Sequence, residues 1–171
     1  METFEVKRGL AKKLASEGGL AGVARKHFDN VDGESDTFTG SHGIMTNITG
    51  EYNAMGKLVV DVSQVLPDFS DEGAMVAAND DRRRWSAFLD EATGYNSKQR
   101  GDKAKEFAKK AAKAKSGISQ ARHFMSMATN LSDETKAQAE EFISTIESLL
   151  EAGDNTKAES TAKKLATLLE S

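Results

Sequence analysis

The sequence predicts an α+β fold, with a small antiparallel sheet and one or two covering helices followed by a C-terminal antiparallel helical bundle or hairpin. Three observations support this prediction. Short segments in which apolar and polar residues alternate, as in strands, lie before residue 66. Apolar residues spaced by three and four dominate after residue 70. The single proline, Pro67, separates the two patterns, and proline cannot donate to a strand ladder.

The N-terminal part begins with an alternating segment, Thr3–Lys7, which predicts a strand. Helical spacing follows over Leu10–Phe28, and Gly18-Gly19 should break or kink this stretch because glycine disfavours helix interiors. The acidic segment Asp29–Asp36 predicts a solvated loop. Three further strands are expected around Thr37–Thr39, Ile44–Ile48 and Lys57–Val65. A hairpin loop at residues 53–56 should precede the last of them.

Helices account for the remainder of the chain. Ser70 is the expected N-cap of a helix that ends at Gly94. Asp102 is the expected cap of the next helix, Ser132 caps another, and residues 153–155 form the turn before the last one. The helix after Asp102 carries a heptad seam, formed by Ala104, Phe107, Ala111, Ala114, Ile118, Ala121, Met125 and Ala128. We therefore predict an α+β domain over residues 1–95, ordered strand, helix, three strands, helix, and a helical extension of about three helices over residues 96–171.

The net charge of the 171-residue chain is −4, but the charges are unevenly distributed. Residues 29–91 hold four basic and thirteen acidic side chains, whereas residues 92–131 hold nine basic and two acidic ones. No apolar run approaches the roughly 20 residues that span a bilayer, and the first residues lack the hydrophobic stretch of a secretory signal. We therefore expect a cytoplasmic protein that makes no membrane contact.

Two motifs resemble a known family. The opening strand ends in Val6-Lys7-Arg8-Gly9, and the helical stretch Trp85–Tyr95 ends in Phe-Leu-Asp-Glu-Ala-Thr-Gly-Tyr before a basic continuation. These motifs and the order of elements are similar to an uncharacterised archaeal domain family, over about residues 2–115. The resemblance implies a small α+β domain in an archaeal cytoplasm. The family has no assigned activity, so the resemblance carries over no catalytic residue. The hairpin from about residue 116 departs from the family pattern.

Catalytic and metal-binding chemistry has little basis in the sequence. The absence of cysteine excludes disulfides, thiolate metal sites and cysteine nucleophiles. The three histidines, His27, His42 and His123, lie in different predicted elements, and no nucleophile elbow or phosphate-binding glycine motif is present. We predict no catalytic, cofactor-binding or metal-binding residue, expect no cofactor and infer no small-molecule substrate.

A lysine-rich stretch is the strongest functional signal. At 100° per residue, Lys98, Lys105, Lys109 and Lys113 share the helix face opposite the heptad seam. Such a stripe can contact a phosphate backbone in a salt-dependent manner. Lysine is, however, the ordinary residue of a solvated helix face, and the interpretation as such a face, or as one paired with the acids of residues 132–171, is the favoured one.

Three functional hypotheses follow. The first is a non-catalytic binding or scaffold module, with a protein partner or self-association through the helical seams. The second is non-specific association with nucleic acid or the ribosome through Lys98, Lys105, Lys109 and Lys113. The third is an enzyme whose site the sequence does not reveal.

Overall fold

The computed structural model describes all residues 1–171 and confirms the α+β class, with a five-stranded antiparallel sheet followed by helices. The chain divides into two compact units, Met1–Asp102 and Lys103–Ser171, whereas the sequence suggested a boundary after residue 95. The elements, in chain order, are β1 (Glu2–Phe4), α1 (Leu10–Ala15), α2 (Gly19–His27), β2 (Asn30–Asp32), β3 (Thr37–His42), β4 (Met45–Tyr52), β5 (Leu58–Gln64), α3 (Glu72–Thr93), α4 (Ser97–Met127), α5 (Asp133–Glu151) and α6 (Asn155–Glu170).

The sheet of the first unit has the strand order β1-β5-β4-β3-β2, with every neighbouring pair antiparallel. The prediction of a loop over residues 29–36 was wrong, because β2 lies within it and pairs with β3. Val31 is the only apolar residue of β2, so the strand depends on its ladder partner and not on a hydrophobic pattern of its own. β1 ends at Phe4, earlier than the segment that alternation predicted.

Two glycines break the first helical stretch as expected. Gly18 and Gly19 have φ angles of 96° and 68°, which separate α1 from α2. A Cβ atom on Gly19 would lie 2.5 Å from the backbone oxygen of Ser35, so α2 approaches the loop before β3 closely. The order in the first unit is therefore strand, two short helices, four strands and a helix, in place of the predicted strand, helix, three strands and helix.

The caps of α3 and α4 differ from the predicted ones. Asp71 caps α3, because its side chain accepts hydrogen bonds from the backbone nitrogens of Gly73 and Ala74. Ser70, the predicted cap, instead donates hydrogen bonds from its backbone nitrogen and its hydroxyl to Asp68. The end of α3 at Gly94, with φ 74°, matches the expectation.

The helix α4 begins at Ser97, so Asp102 lies within it and caps nothing. Asn96 and Gln99 each accept a hydrogen bond from the other's backbone nitrogen, at 2.9 and 3.0 Å. This reciprocal arrangement satisfies two donors at the helix start. The earlier start also places Arg100 inside the first unit, where its side chain is buried against Asp90 and Tyr95.

Each unit has its own core. In the first, Phe28, Phe38 and Phe88 cluster with ring centroids 5.0–6.3 Å apart, and Trp85 packs against them. In the second, Ala114, Ile118 and Ala121 of α4 join a core formed with buried residues of α5 and α6. Ser132 caps α5 as predicted, and Asp154, in the predicted turn at residues 153–155, caps α6. None of the helices combines the length and the apolar composition that crossing a membrane requires.

Candidate functional site

Four side chains of α4, which we call the lysine face, form the candidate site: Lys98, Lys105, Lys109 and Lys113. All four are exposed. Lys105, Lys109 and Lys113 are spaced at one helical turn, about 6 Å in rise, and lie within about 80° of one another around the helix axis. Lys98 lies in the first turns of the same helix, within the first unit. The structure therefore places each predicted residue on the surface of α4.

The lysine face is mostly free of carboxylates. Lys98, Lys105 and Lys109 have no acidic side chain within ion-pair distance. Asp102, which is exposed and lies one helical turn from Lys98 and Lys105, pairs with neither of them. Lys113 is the exception, since its Nζ lies 3.2 Å from Oε1 of Glu159 on α6. The acids of residues 132–171 therefore reach only the last member of the face.

The other basic side chains of α4 are all paired, apart from Lys115. Lys103 and Lys110 both bind Glu106, at 3.4 and 3.3 Å. Their hydrogen bonds, that of Lys110 above all, hold the pKa of Glu106 below its ordinary value. Arg122 binds Glu147 at 2.9 Å, and Arg100 binds Asp90. These ion pairs engage Glu106, Glu147 and Asp90 with cations outside the lysine face.

Packing on the opposite side of α4 holds the lysine face outward. The seam residues Ala114, Ile118 and Ala121 are buried. A Cβ atom on Gly117 would lie 2.9 Å from Cβ of Ala162, so α4 and α6 approach closely there. The seam is shorter than predicted, because Ala104 is exposed. The seam of α4 is thus covered by helices of its own chain.

A histidine–aspartate pair that the sequence did not reveal lies in the first unit. Nε2 of His42, in β3, lies 3.4 Å from Oδ1 of Asp81 in α3, and the two side chains are 12% and 11% exposed. The other oxygen of Asp81 accepts a hydrogen bond of 2.9 Å from the backbone nitrogen of Ile44. Nδ1 of His42 is buried and forms no hydrogen bond. It lies 3.1 Å from Oδ2 of Asp29, but the angle between the two groups is unfavourable for one. This pair ties the β3–β4 turn to α3.

A second cluster joins α2 to α3. Glu91 accepts hydrogen bonds from Lys26 at 2.8 Å, and lies 2.7 Å from Nε2 of His27. Burial opposes ionisation of Glu91, but these two partners outweigh it and lower its pKa. The His27 ring also contacts Phe28 and Phe88 of the core. Lys26 and His27 are therefore engaged within the fold.

The geometry defines a small α+β domain with an appended helical unit that presents an open cationic helix face. Comparison with known families identifies the domain. A family model described as a domain of unknown function, DUF5611, matches residues 1–106, so the chain belongs to the DUF5611 family. This confirms the resemblance to an uncharacterised domain family. No curated protein and no solved structure matches the chain.

The family match ends within the lysine face. Lys98 and Lys105 lie inside the matched region, whereas Lys109 and Lys113 lie beyond it. The matched region contains the whole sheet, α1 to α3 and the first ten residues of α4.

Proposed function

We propose that the chain is a non-catalytic binding module that contacts the phosphate backbone of nucleic acid through the lysine face, without reading base sequence. The observation that carries this proposal is the absence of carboxylate partners at Lys98, Lys105 and Lys109, while most neighbouring cations are paired. Free ammonium groups at intervals of one or two helical turns can replace the counterions that surround a phosphate backbone, and the released counterions favour binding.

The composition of the lysine face supports non-specific contact. Ala108 and Ala112, both exposed, are its immediate neighbours, and they let a nucleic-acid backbone approach the helix closely. Phe107, the nearest aromatic residue, lies on the seam side and is partly buried. Base stacking requires exposed aromatic side chains, and the rigid fork of arginine is the cation best suited to bidentate contacts. The lysine face has neither. The expected contact is therefore with phosphates.

Salt dependence tests this proposal. The full chain is titrated against a fluorescently labelled duplex of about 20 base pairs, at ~50 mM and ~200 mM salt. Three phosphate contacts predict that affinity falls about 40-fold between these two concentrations. Binding that is absent at the lower concentration, or that does not change with salt, would overturn the proposal.

A matched pair of variants assigns the contact to α4. Lys109→Glu should weaken binding, because it replaces a contact cation with a repelling charge. Lys164→Glu on α6 makes the same change at an exposed lysine that has no carboxylate partner, and should have a much smaller effect. Equal losses in the two variants would show that only net charge matters, and would contradict a defined face.

A protein-scaffold role is the second candidate, and one observation favours it: three large apolar side chains in the segment between β5 and α3, those of Val65, Leu66 and Phe69, are exposed. We place the protein contact there and not on the α4 seam, because α5 and α6 already cover that seam.

An enzymatic role is the third candidate. We infer that His42 and Asp81 stabilise the fold, since Asp81 already binds the backbone of Ile44.

The proposed setting is the cytoplasm of an archaeal cell. The cytoplasmic part is supported by the absence of cysteine and of any helix that could cross a membrane. The archaeal part is supported by the two motifs around Val6–Gly9 and Phe88–Tyr95.

A further inference from the structure

The outer edge of β5 is only partly covered. β1 pairs with Leu58, Val59 and Val60, and the register ends there. The strand continues to Gln64, and the backbone nitrogen of Val65 still bonds to Ile44 of the neighbouring hairpin turn. Residues 62–65, about 13 Å of extended chain, therefore have no strand on their outer side. Unpaired backbone donors and acceptors at such an edge can pair with another extended chain.

This edge lacks the usual features that prevent pairing. Residues 62–66 contain no charged side chain, and the proline that would block a ladder comes only at position 67. Native sheets commonly protect an exposed edge with lysine, proline or inward-pointing charge. The open part of β5 is therefore competent to accept a strand.

Apolar side chains are exposed directly after this edge. Leu66 and Phe69 are 82% and 69% exposed, and Val65 and Val76 are more than half exposed. Large apolar residues that cluster at the surface of a monomer commonly mark an interaction site.

The segment that carries these residues is held in a defined conformation. Oδ1 of Asp68 accepts hydrogen bonds from the backbone nitrogen and the hydroxyl of Ser70, at 2.9 and 2.6 Å. Asp71 caps the helix that follows. The apolar side chains are thus presented by an ordered turn, which lowers the entropy lost when a partner binds.

The charged side chains around residues 62–76 indicate the charge of the partner that would bind there. Asp68, Asp71 and Glu72 are all exposed, and no lysine or arginine occurs between Lys57 and Arg82. Asp61 is also exposed, but its carboxylate lies 3.1 Å from the N-terminal amine of Met1. The field at this surface is therefore negative and favours a cationic partner. A second copy of the chain would bring the same acids to the interface, which would oppose self-pairing.

We propose that residues 62–76 form a docking surface for an extended segment of another protein, in which cationic and apolar side chains alternate, and that this segment adds as a strand to the outer edge of β5. Its backbone pairs with residues 62–65. Its apolar side chains cover Leu66 and Phe69, and its cations face Asp68 and Glu72. Strand addition of this kind derives affinity from main-chain hydrogen bonds and specificity from the alternate side chains.

A peptide probe tests the proposal on the full chain. The probe is a labelled eight-residue peptide of alternating lysine and valine, followed by fluorescence anisotropy. Two peptides serve as controls, one with glutamate in place of lysine and one with every peptide nitrogen methylated. The lysine–valine peptide should bind saturably, and both controls should bind at least about tenfold more weakly. Equal binding by the methylated peptide would overturn strand addition, and equal binding by the glutamate peptide would overturn the cationic preference.

Protein variants locate the contact. The double substitution Leu66→Ser and Phe69→Ser should weaken peptide binding at least about tenfold. Met55→Ser removes an exposed apolar side chain from the β4–β5 loop and should leave binding unchanged. Unchanged affinity in the double variant, or no saturable binding of the lysine–valine peptide up to about 1 mM, would overturn the proposal. Circular dichroism of each variant verifies that the fold is retained.

Discussion

Nζ of Lys113 lies 3.2 Å from Oε1 of Glu159, and this pair is the one point at which an acid of the C-terminal helices reaches the lysine face. The hydrogen bond from Lys113 holds the pKa of Glu159 below its ordinary value, so the carboxylate stays ionised at neutral pH. The same carboxylate oxygen lies 3.5 Å from Lys163. Glu159 therefore neutralises part of the field at one end of the face.

Removal of this carboxylate should strengthen nucleic-acid binding. Glu159→Gln frees Lys113, so one more cation can contact phosphate, and the slope of log affinity against log salt should steepen by about 0.9. Glu140→Gln is the matched control, because Glu140 is an exposed acid of α5 that binds no cation. Anisotropy titrations at several salt concentrations measure both slopes. Equal slopes for Glu159→Gln and the wild type would show that Lys113 does not contact nucleic acid.

The buried pair of His42 and Asp81 should contribute to the stability of the first unit. Asp81→Ala leaves the backbone nitrogen of Ile44 and the His42 ring without their partner, so the free energy of unfolding should fall by about 3 kcal/mol. Asp81→Asn keeps an oxygen that can accept from Ile44 and should lose about 1 kcal/mol. Denaturant unfolding followed by the fluorescence of the single tryptophan, Trp85, reports on this unit.

Asp80→Ala is the control for this prediction. Asp80 is exposed, and its only cationic partner, Arg83, lies 3.7 Å away, so the loss should stay below about 0.5 kcal/mol. A loss in Asp81→Ala no larger than this would contradict a stabilising role for the pair.

The cluster around Glu91 should make stability depend on acid pH. Its pKa is lowered in the folded protein, so its contribution is complete above the ordinary value of 4.5 and is lost as the pH falls through the folded value. Glu91→Gln should be less stable than the wild type at neutral pH, by about 1 kcal/mol or less because Glu91 is partly exposed. The difference should shrink below pH 4.5. A difference that stays constant from neutral to acid pH would contradict this assignment.

The fold was predictable wherever local sequence decides the structure. The break at Gly18-Gly19, the end of α3 at Gly94, the cap Ser132 and the turn at residues 153–155 follow from backbone and capping chemistry alone. β2 was missed because its formation depends on a partner strand, and a single valine among polar residues gives no period. The earlier start of α4 was missed because Asn96 and Gln99 cap it jointly, a weaker signal than one aspartate.

The candidate site was likewise only partly predictable from the sequence. The lysine face was predictable because helical spacing alone places Lys105, Lys109 and Lys113 on one side of α4. The pairing of Lys113 with Glu159 was not, since the two residues belong to different helices and meet only through packing. His42 and Asp81 are likewise separated by 39 positions, and their contact depends on how α3 packs on the sheet.

The salt dependence of nucleic-acid binding tests the central claim most directly. The slope of log affinity against log salt concentration is measured for three proteins. They are the wild type, the double variant Lys105→Gln/Lys109→Gln, and the single variant Lys164→Gln. Three phosphate contacts predict a wild-type slope of about −2.7, and loss of two contacts reduces it to about −0.9. Lys164→Gln should keep the wild-type slope. A double variant whose slope equals that of the wild type would contradict the lysine face as the binding surface.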